Sequence, residues 1–159
     1  MEDVKKKRRL RNILLIVGTL IVVGAVVLIV WLVDKNDTET TYAIGQPVKL
    51  GGARVTVDGV VFSEGSGDNV IAEVFVTVDG KADMSQLKVA GGEKISSKAA
   101  VFNGKEYAAA PQGDAESGKY AFTFTVVKNA DTFFFIGEKN KVALGMAIVL
   151  DKDNILEAK

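Results

Sequence analysis

Residues 13–33, ILLIVGTLIVVGAVVLIVWLV, run for 21 positions without a charged side chain. No other stretch restricts the chain so strongly. A bilayer core is crossed by about 20 apolar residues of α-helix. A segment alone in lipid must satisfy its own backbone groups, which a helix does and a single strand does not. The stretch is therefore expected to be one transmembrane helix. Trp31 stands near its end, where an interfacial aromatic anchor belongs. A cleaved signal peptide would have an apolar core of about 7–15 residues closed by a small-x-small site. Here the run is longer and ends in Trp31-Leu32-Val33-Asp34, so an uncleaved signal-anchor is expected.

The flanks set the orientation. Residues 1–12 hold six Lys/Arg and two acids, a net charge of +4. The other flank, DKNDTE, is acidic on balance. Basic residues beside a span stay on the cytoplasmic side. The expected layout is a basic cytoplasmic segment at 1–12, the anchor at 13–33, a polar linker at 34–41 and an extracytoplasmic domain at 42–159. The expected location is thus the cell membrane, crossed once, with the N-terminus inside. The eight-residue linker, if a flexible coil, reaches roughly 15 Å and keeps the domain near the membrane.

Composition removes several chemistries. The chain has no His and no Cys. Ser–His and Cys–His nucleophilic systems are excluded, and so is a disulfide framework. Residues 13–159 carry fourteen Lys/Arg against eighteen acids, a net −4, which is a poor match to nucleic acid. The doublets Gly51-Gly52 and Gly91-Gly92 lack the Lys-Ser/Thr that a phosphate loop needs. No cofactor is expected. Asp151, Asp153 and Asn154 offer hard oxygens for calcium but lack the spaced twelve-residue loop and its terminal Glu, so a solvated turn is expected.

From Tyr42 onward the period is two. Val55 and Val57 alternate with Thr56 and Asp58; Val70, Ala72, Val74, Val76 and Val78 form one apolar face. Tyr120, Phe122, Phe124 and Val126 form another, and Val142, Leu144, Met146, Ile148 and Leu150 a third. Such alternation, rich in Val, Phe and Thr, marks half-buried strands. Asp58-Gly59, Asp79-Gly80, Asn103-Gly104 and Glu138-Lys139-Asn140 read as turns, with Asn103-Gly104 the strongest hairpin signal. A short helical turn fits residues 82–87, and a last short strand fits Ile155-Leu156. Seven or eight short strands in this length imply an all-β, antiparallel, immunoglobulin-like β-sandwich, with a closed barrel as the alternative.

Tyr42-Ala43-Ile44-Gly45 followed by Val55-Thr56-Val57, and later the strands at 118–127 and 131–136, carry a resemblance. In this order they resemble a bacterial domain-of-unknown-function family, frequent in Gram-positive organisms and secreted or membrane-anchored. Its fold is similar to the immunoglobulin-like sandwich of the immunoprotective extracellular antigens. The resemblance implies that fold, implies no enzymatic activity and transfers no functional residue. Here Val78 runs into Asp79-Gly80-Lys81 where members often have an Asn-bearing turn.

Candidate contact residues come from the remaining features. In Thr132-Phe133-Phe134-Phe135-Ile136, Phe133 and Phe135 face one way and Phe134 the other. Phe134 is expected on the surface as an aromatic contact. The glycine-rich loops at 63–68 and 111–118 supply Glu64, Asp68, Asp114 and Glu116. The expected function is a non-catalytic extracytoplasmic domain that binds an envelope protein or a cell-wall component. One alternative is an accessory subunit of a membrane secretion or conjugation complex. The other is a hydrolase working through a carboxylate pair, Glu64 with Asp68 or Asp114 with Glu116, one member of which would have to be desolvated.

Overall fold

The computed structural model describes residues 22–27 and 39–148. The chain divides into two compact units, Met1–Thr38 and Glu39–Lys159. In the first, residues 22–27 are helical, and Val22, Val23, Val26 and Val27 are each more than half exposed. Among the described residues no helix is long and apolar enough to cross a membrane. Residues 13–21 and 28–33 of the expected span lie outside the described residues, as do Asp151, Asp153, Asn154 and the strand expected at Ile155-Leu156.

The second unit is mostly β. Its elements are β1 (Thr40–Tyr42), β2 (Pro47–Leu50), β3 (Ala53–Glu64), β4 (Asn69–Asp79), β5 (Ala82–Asp83), a 3-10 turn (Met84–Gln86), β6 (Leu87–Val89), β7 (Glu93–Lys94), β8 (Ala100–Phe102), β9 (Lys105–Ala109), β10 (Asp114–Ala115), β11 (Gly118–Val127), β12 (Asp131–Ile136) and β13 (Asn140–Met146). A seven-stranded sheet runs β2-β3-β4-β11-β9-β8, with β7 also paired to β11. A four-stranded sheet runs β1-β13-β12-β6, and β5 pairs β10 separately.

Among the described residues most pairings are antiparallel, and two are parallel. β1 runs parallel to β13, and β9 runs parallel to β11. Parallel neighbours require a crossover connection. For β9 and β11 that connection is the segment through β10, which leaves the sheet to pair with β5.

The period-two faces become the core. Val70, Ala72, Val74, Val76 and Val78 of β4 are all buried, as are Phe122, Phe124 and Val126 of β11. From the four-stranded sheet they meet Phe134, Ile136, Val142 and Leu144 in one cluster. Phe134 is therefore not a surface residue. It is fully buried, with its ring centroid 5.8 Å from that of Phe122 and 6.2 Å from that of Phe124. Phe133 and Phe135 point the other way and are half-buried, and the Lys141 ammonium lies 5.0 Å above the Phe133 ring. Burying Phe134 brings three aromatic rings together between the sheets, a larger apolar gain than burying an outward pair covered by lysine stems.

β13 departs from the simple alternation. Thr132 pairs Gly145 and Phe133 pairs Ala143, so Leu144 is an extra residue on β13. Gly145 takes φ +90, which a side chain would strain. The bulge reverses the phase: Ala147 is buried, whereas Met146 and Ile148, expected inside, are nearly half exposed.

Candidate functional site

The most elaborate side-chain arrangement on the outer face of the seven-stranded sheet begins with a second bulge. β3 pairs β4 from Arg54↔Asp79 to Glu64↔Val70, but Val57 faces Val76 and Gly59 faces Phe75. Asp58 is the extra residue, so Asp58-Gly59 is not the turn expected there. The strand continues through it. Val55 and Val57 enter the core before the bulge; Val60 and Phe62 pack against it afterwards. Asp58 follows Val57 onto the outer face by alternation, beside Thr77 of β4, and the bulge places Gly59 on that face as well.

The β8–β9 hairpin closes over this place. Asn103 and Gly104 take φ 49 and 73, the left-handed pair that a two-residue turn between twisted strands needs. The Phe102 ring lies on Gly59, where a β-carbon would collide with it. It stacks on Phe75 at 4.5 Å between centroids with planes 10° apart. Tyr107 meets Phe75 edge-on at 5.1 Å. Phe75, Tyr107 and Ala121 form a small second core, with Ala100 and Phe102 packed against it.

Asp58 is the polar centre of the arrangement. Its Oδ2 accepts hydrogen bonds from Thr77 Oγ1 at 2.6 Å and from the Tyr107 hydroxyl at 3.0 Å. Burial, then the hydrogen bond to Asp58 and its charge, push the Tyr107 phenol up to about 12. Tyr107 therefore stays a neutral donor at ordinary pH. One carboxylate oxygen holding two hydroxyl donors makes a latch that pins β9 to β3 and β4.

Beside the latch lies an open cleft of about 720 Å³, lined among others by Val101, Glu106, Tyr107, Gly118 and Lys119. It forms where β9 leaves β11, since the two strands pair only at Tyr120↔Ala108 and Ala121↔Ala109. Two smaller clefts, of about 490 and 400 Å³, flank β6 and share Ser85, Lys88 and Val89.

The two carboxylate pairs singled out in the sequence, Glu64 with Asp68 and Asp114 with Glu116, lie near opposite ends of β4. Glu64 pairs Val70 at one end of β4, and Gly118 pairs Val78 near the other. Eight residues of strand, roughly 26 Å, separate the two ends. All four acids are exposed. Asp114 is ion-paired to Lys81 at 2.8 Å, which holds that ammonium above its ordinary range. The loop expected at 111–118 is tied down: β10 pairs β5, the Gly113 carbonyl accepts from Met84 N, and Ser117 Oγ accepts from Gly80 N at 2.8 Å. Among the described residues no three His, Cys, Asp or Glu side chains are grouped to hold a metal.

The latch was missed in the sequence because Asp-Gly reads first as a turn. Its signal was present as a phase slip: Val55 and Val57 are odd-numbered, Val60 and Phe62 even, with Asp58-Gly59 at the junction.

Compared with family models, curated proteins and solved structures, the chain matches none.

Proposed function

We propose that this protein is a single-pass, membrane-anchored, extracytoplasmic domain that binds another envelope protein or a cell-wall component without catalysis. In this reading the two sheets form an immunoglobulin-like sandwich of the bacterial kind that the sequence resembles. The observation that carries the binding reading is the outer face of the seven-stranded sheet. Val61 and Val127 point outward there, 43% and 53% exposed, beyond the reach of the β8–β9 hairpin. The face is mixed, with Val61, Ile71 and Val127 standing among Glu73, Thr123 and Thr125, and a non-obligate partner interface is about as apolar as such a surface. The anchor reading is supported by the helical residues 22–27, VVGAVV. Valine is a weak helix former in water, yet four valines here turn outward, as lipid would favour. What counts against the carboxylate hydrolase is that all four acids are solvated, whereas acid–base work needs one member of a pair desolvated.

Two measurements test the proposal. External protease added to intact protoplasts should digest the domain while a cytoplasmic control survives; survival of both proteins reverses the orientation. Replacing residues 13–33 by an unrelated span should leave partner capture by in-cell crosslinking unchanged. Loss of capture would move the specificity into the membrane and favour the accessory-subunit reading.

A further inference from the structure

The outer strands of the second unit are defended unequally. An exposed strand edge presents unpaired N–H and C=O groups, and proteins protect it with proline, charge or irregularity. β2 opens with Pro47 and carries Lys49. β6 carries Lys88, and β7 is Glu93-Lys94. β1 is Thr-Thr-Tyr, with the Glu39–Lys141 ion pair beside it. β8, Ala100-Val101-Phe102, closes one end of the seven-stranded sheet with no proline, charge or hydroxyl. Val101 is 68% exposed.

The hairpin fixes which backbone groups are free. Phe102 and Lys105 flank the two-residue turn and pair with each other. Residues in that position exchange both backbone hydrogen bonds, so alternation turns the N–H and C=O of Val101 to the open edge. Among the described residues no bond is made there. Water satisfies this donor and acceptor in the single chain, and another extended backbone is able to replace it at both together.

We propose that β8 pairs antiparallel with β8 of a second copy of this chain, about a two-fold axis through Val101. In that register Val101 faces its own counterpart, and Ala100 faces Phe102 of the second copy. Every cross-strand neighbour is uncharged, and Lys98 falls opposite Gly104 rather than opposite the other Lys98. The contact is isologous, so both copies cover an undefended edge in one step. Three residues of edge bury far less than the roughly 1,200–2,000 Å² of a stable interface. The dimer is therefore weak in dilute solution and rises with local concentration. The inference goes beyond the binding function and holds wherever the domain is placed.

The chain has no cysteine, which makes a trapping experiment clean. Directly opposed residues of a hydrogen-bonded antiparallel pair have α-carbons about 5.5 Å apart, inside the disulfide range of about 4.4–6.8 Å. Val101→Cys is introduced into the full chain, purified in detergent and exposed to mild oxidant. Met146→Cys, on a residue 48% exposed in the four-stranded sheet and away from the β8 edge, is the control. The V101C dimer should form at least about tenfold faster than the M146C dimer, because pairing raises the effective thiol concentration. Equal rates would mean random collision and overturn the proposal. It is also overturned if V101C stays monomeric yet is shielded from a thiol reagent in native membranes, since the edge would then be held by a foreign strand.

Discussion

Tyr107→Phe removes one oxygen and leaves the ring that packs on Phe75. The structure assigns that oxygen one bond, 3.0 Å from Asp58 Oδ2. A hydrogen bond to a charged group contributes about 1.5–3 kcal/mol. Asp58 is only half-buried and keeps its bond from Thr77, so the low end applies, about 1.5 kcal/mol at neutral pH. The pH dependence is more diagnostic. The phenol is raised from 10.0 to about 12 in the folded protein. Between those values the folded state holds a proton that the unfolded state has released, so stability falls as pH rises through the window. At about 1.4 kcal/mol per unit the loss has a ceiling near 3 kcal/mol, and solvent around the half-exposed Asp58 reduces it. Urea unfolding of the full chain in detergent, followed by circular dichroism, measures both proteins from about pH 8 to pH 12. Lysines and the other tyrosines titrate alike in both and cancel in the difference. The gap between wild type and Y107F should be constant below pH 10 and shrink above it. A gap unchanged up to pH 12, or no gap at neutral pH, would refute the latch.

Two further substitutions probe the packing. Phe134→Ala should destabilise the domain by about 3–5 kcal/mol and lower Tm by at least about 10 °C in a thermal scan; a change within about 2 °C would return Phe134 to the surface. Gly59→Ala drives a β-carbon into the Phe102 ring, so amide exchange should accelerate across 100–109 while the β12–β13 pair stays protected; unchanged protection of the hairpin would mean that Phe102 does not rest on Gly59.

Strand faces were legible wherever the chain keeps a strict period of two. The five even-numbered residues of β4 from Val70 to Val78 and the Phe122–Phe124–Val126 run entered the core as read, because burial on one face is what the alternation encodes. The Asn103-Gly104 turn was legible for a backbone reason, since few other pairs accept two left-handed residues in a row. Phe134 was misread because three consecutive aromatics make both faces apolar. Alternation then cannot say which face is inside, and only the arrival of Phe122 and Phe124 from the other sheet decides it.

The two bulges show why the candidate site was harder to read than the fold. A bulge inserts one residue and inverts every side chain beyond it, so a reader who keeps the phase fixed errs for the rest of the strand. In β13 the error moved Met146 and Ile148 inward and left Ala147 out. In β3 it hid a carboxylate. Asp58 reaches Thr77 and Tyr107 from the outer face that alternation gives it, and the inserted residue brings Gly59 to the same face, bare where Phe102 rests. The same dipeptide that suggests a reversal of the chain thus serves here to fasten one layer onto another. The partners it recruits lie 19 and 49 residues away, a separation that no local pattern encodes. What the sequence does carry is the change of parity across Asp58-Gly59. A parity change inside an unbroken apolar strand marks two successive residues on the sheet's outer face, here Asp58 and Gly59, and the β8–β9 hairpin is the element that covers them.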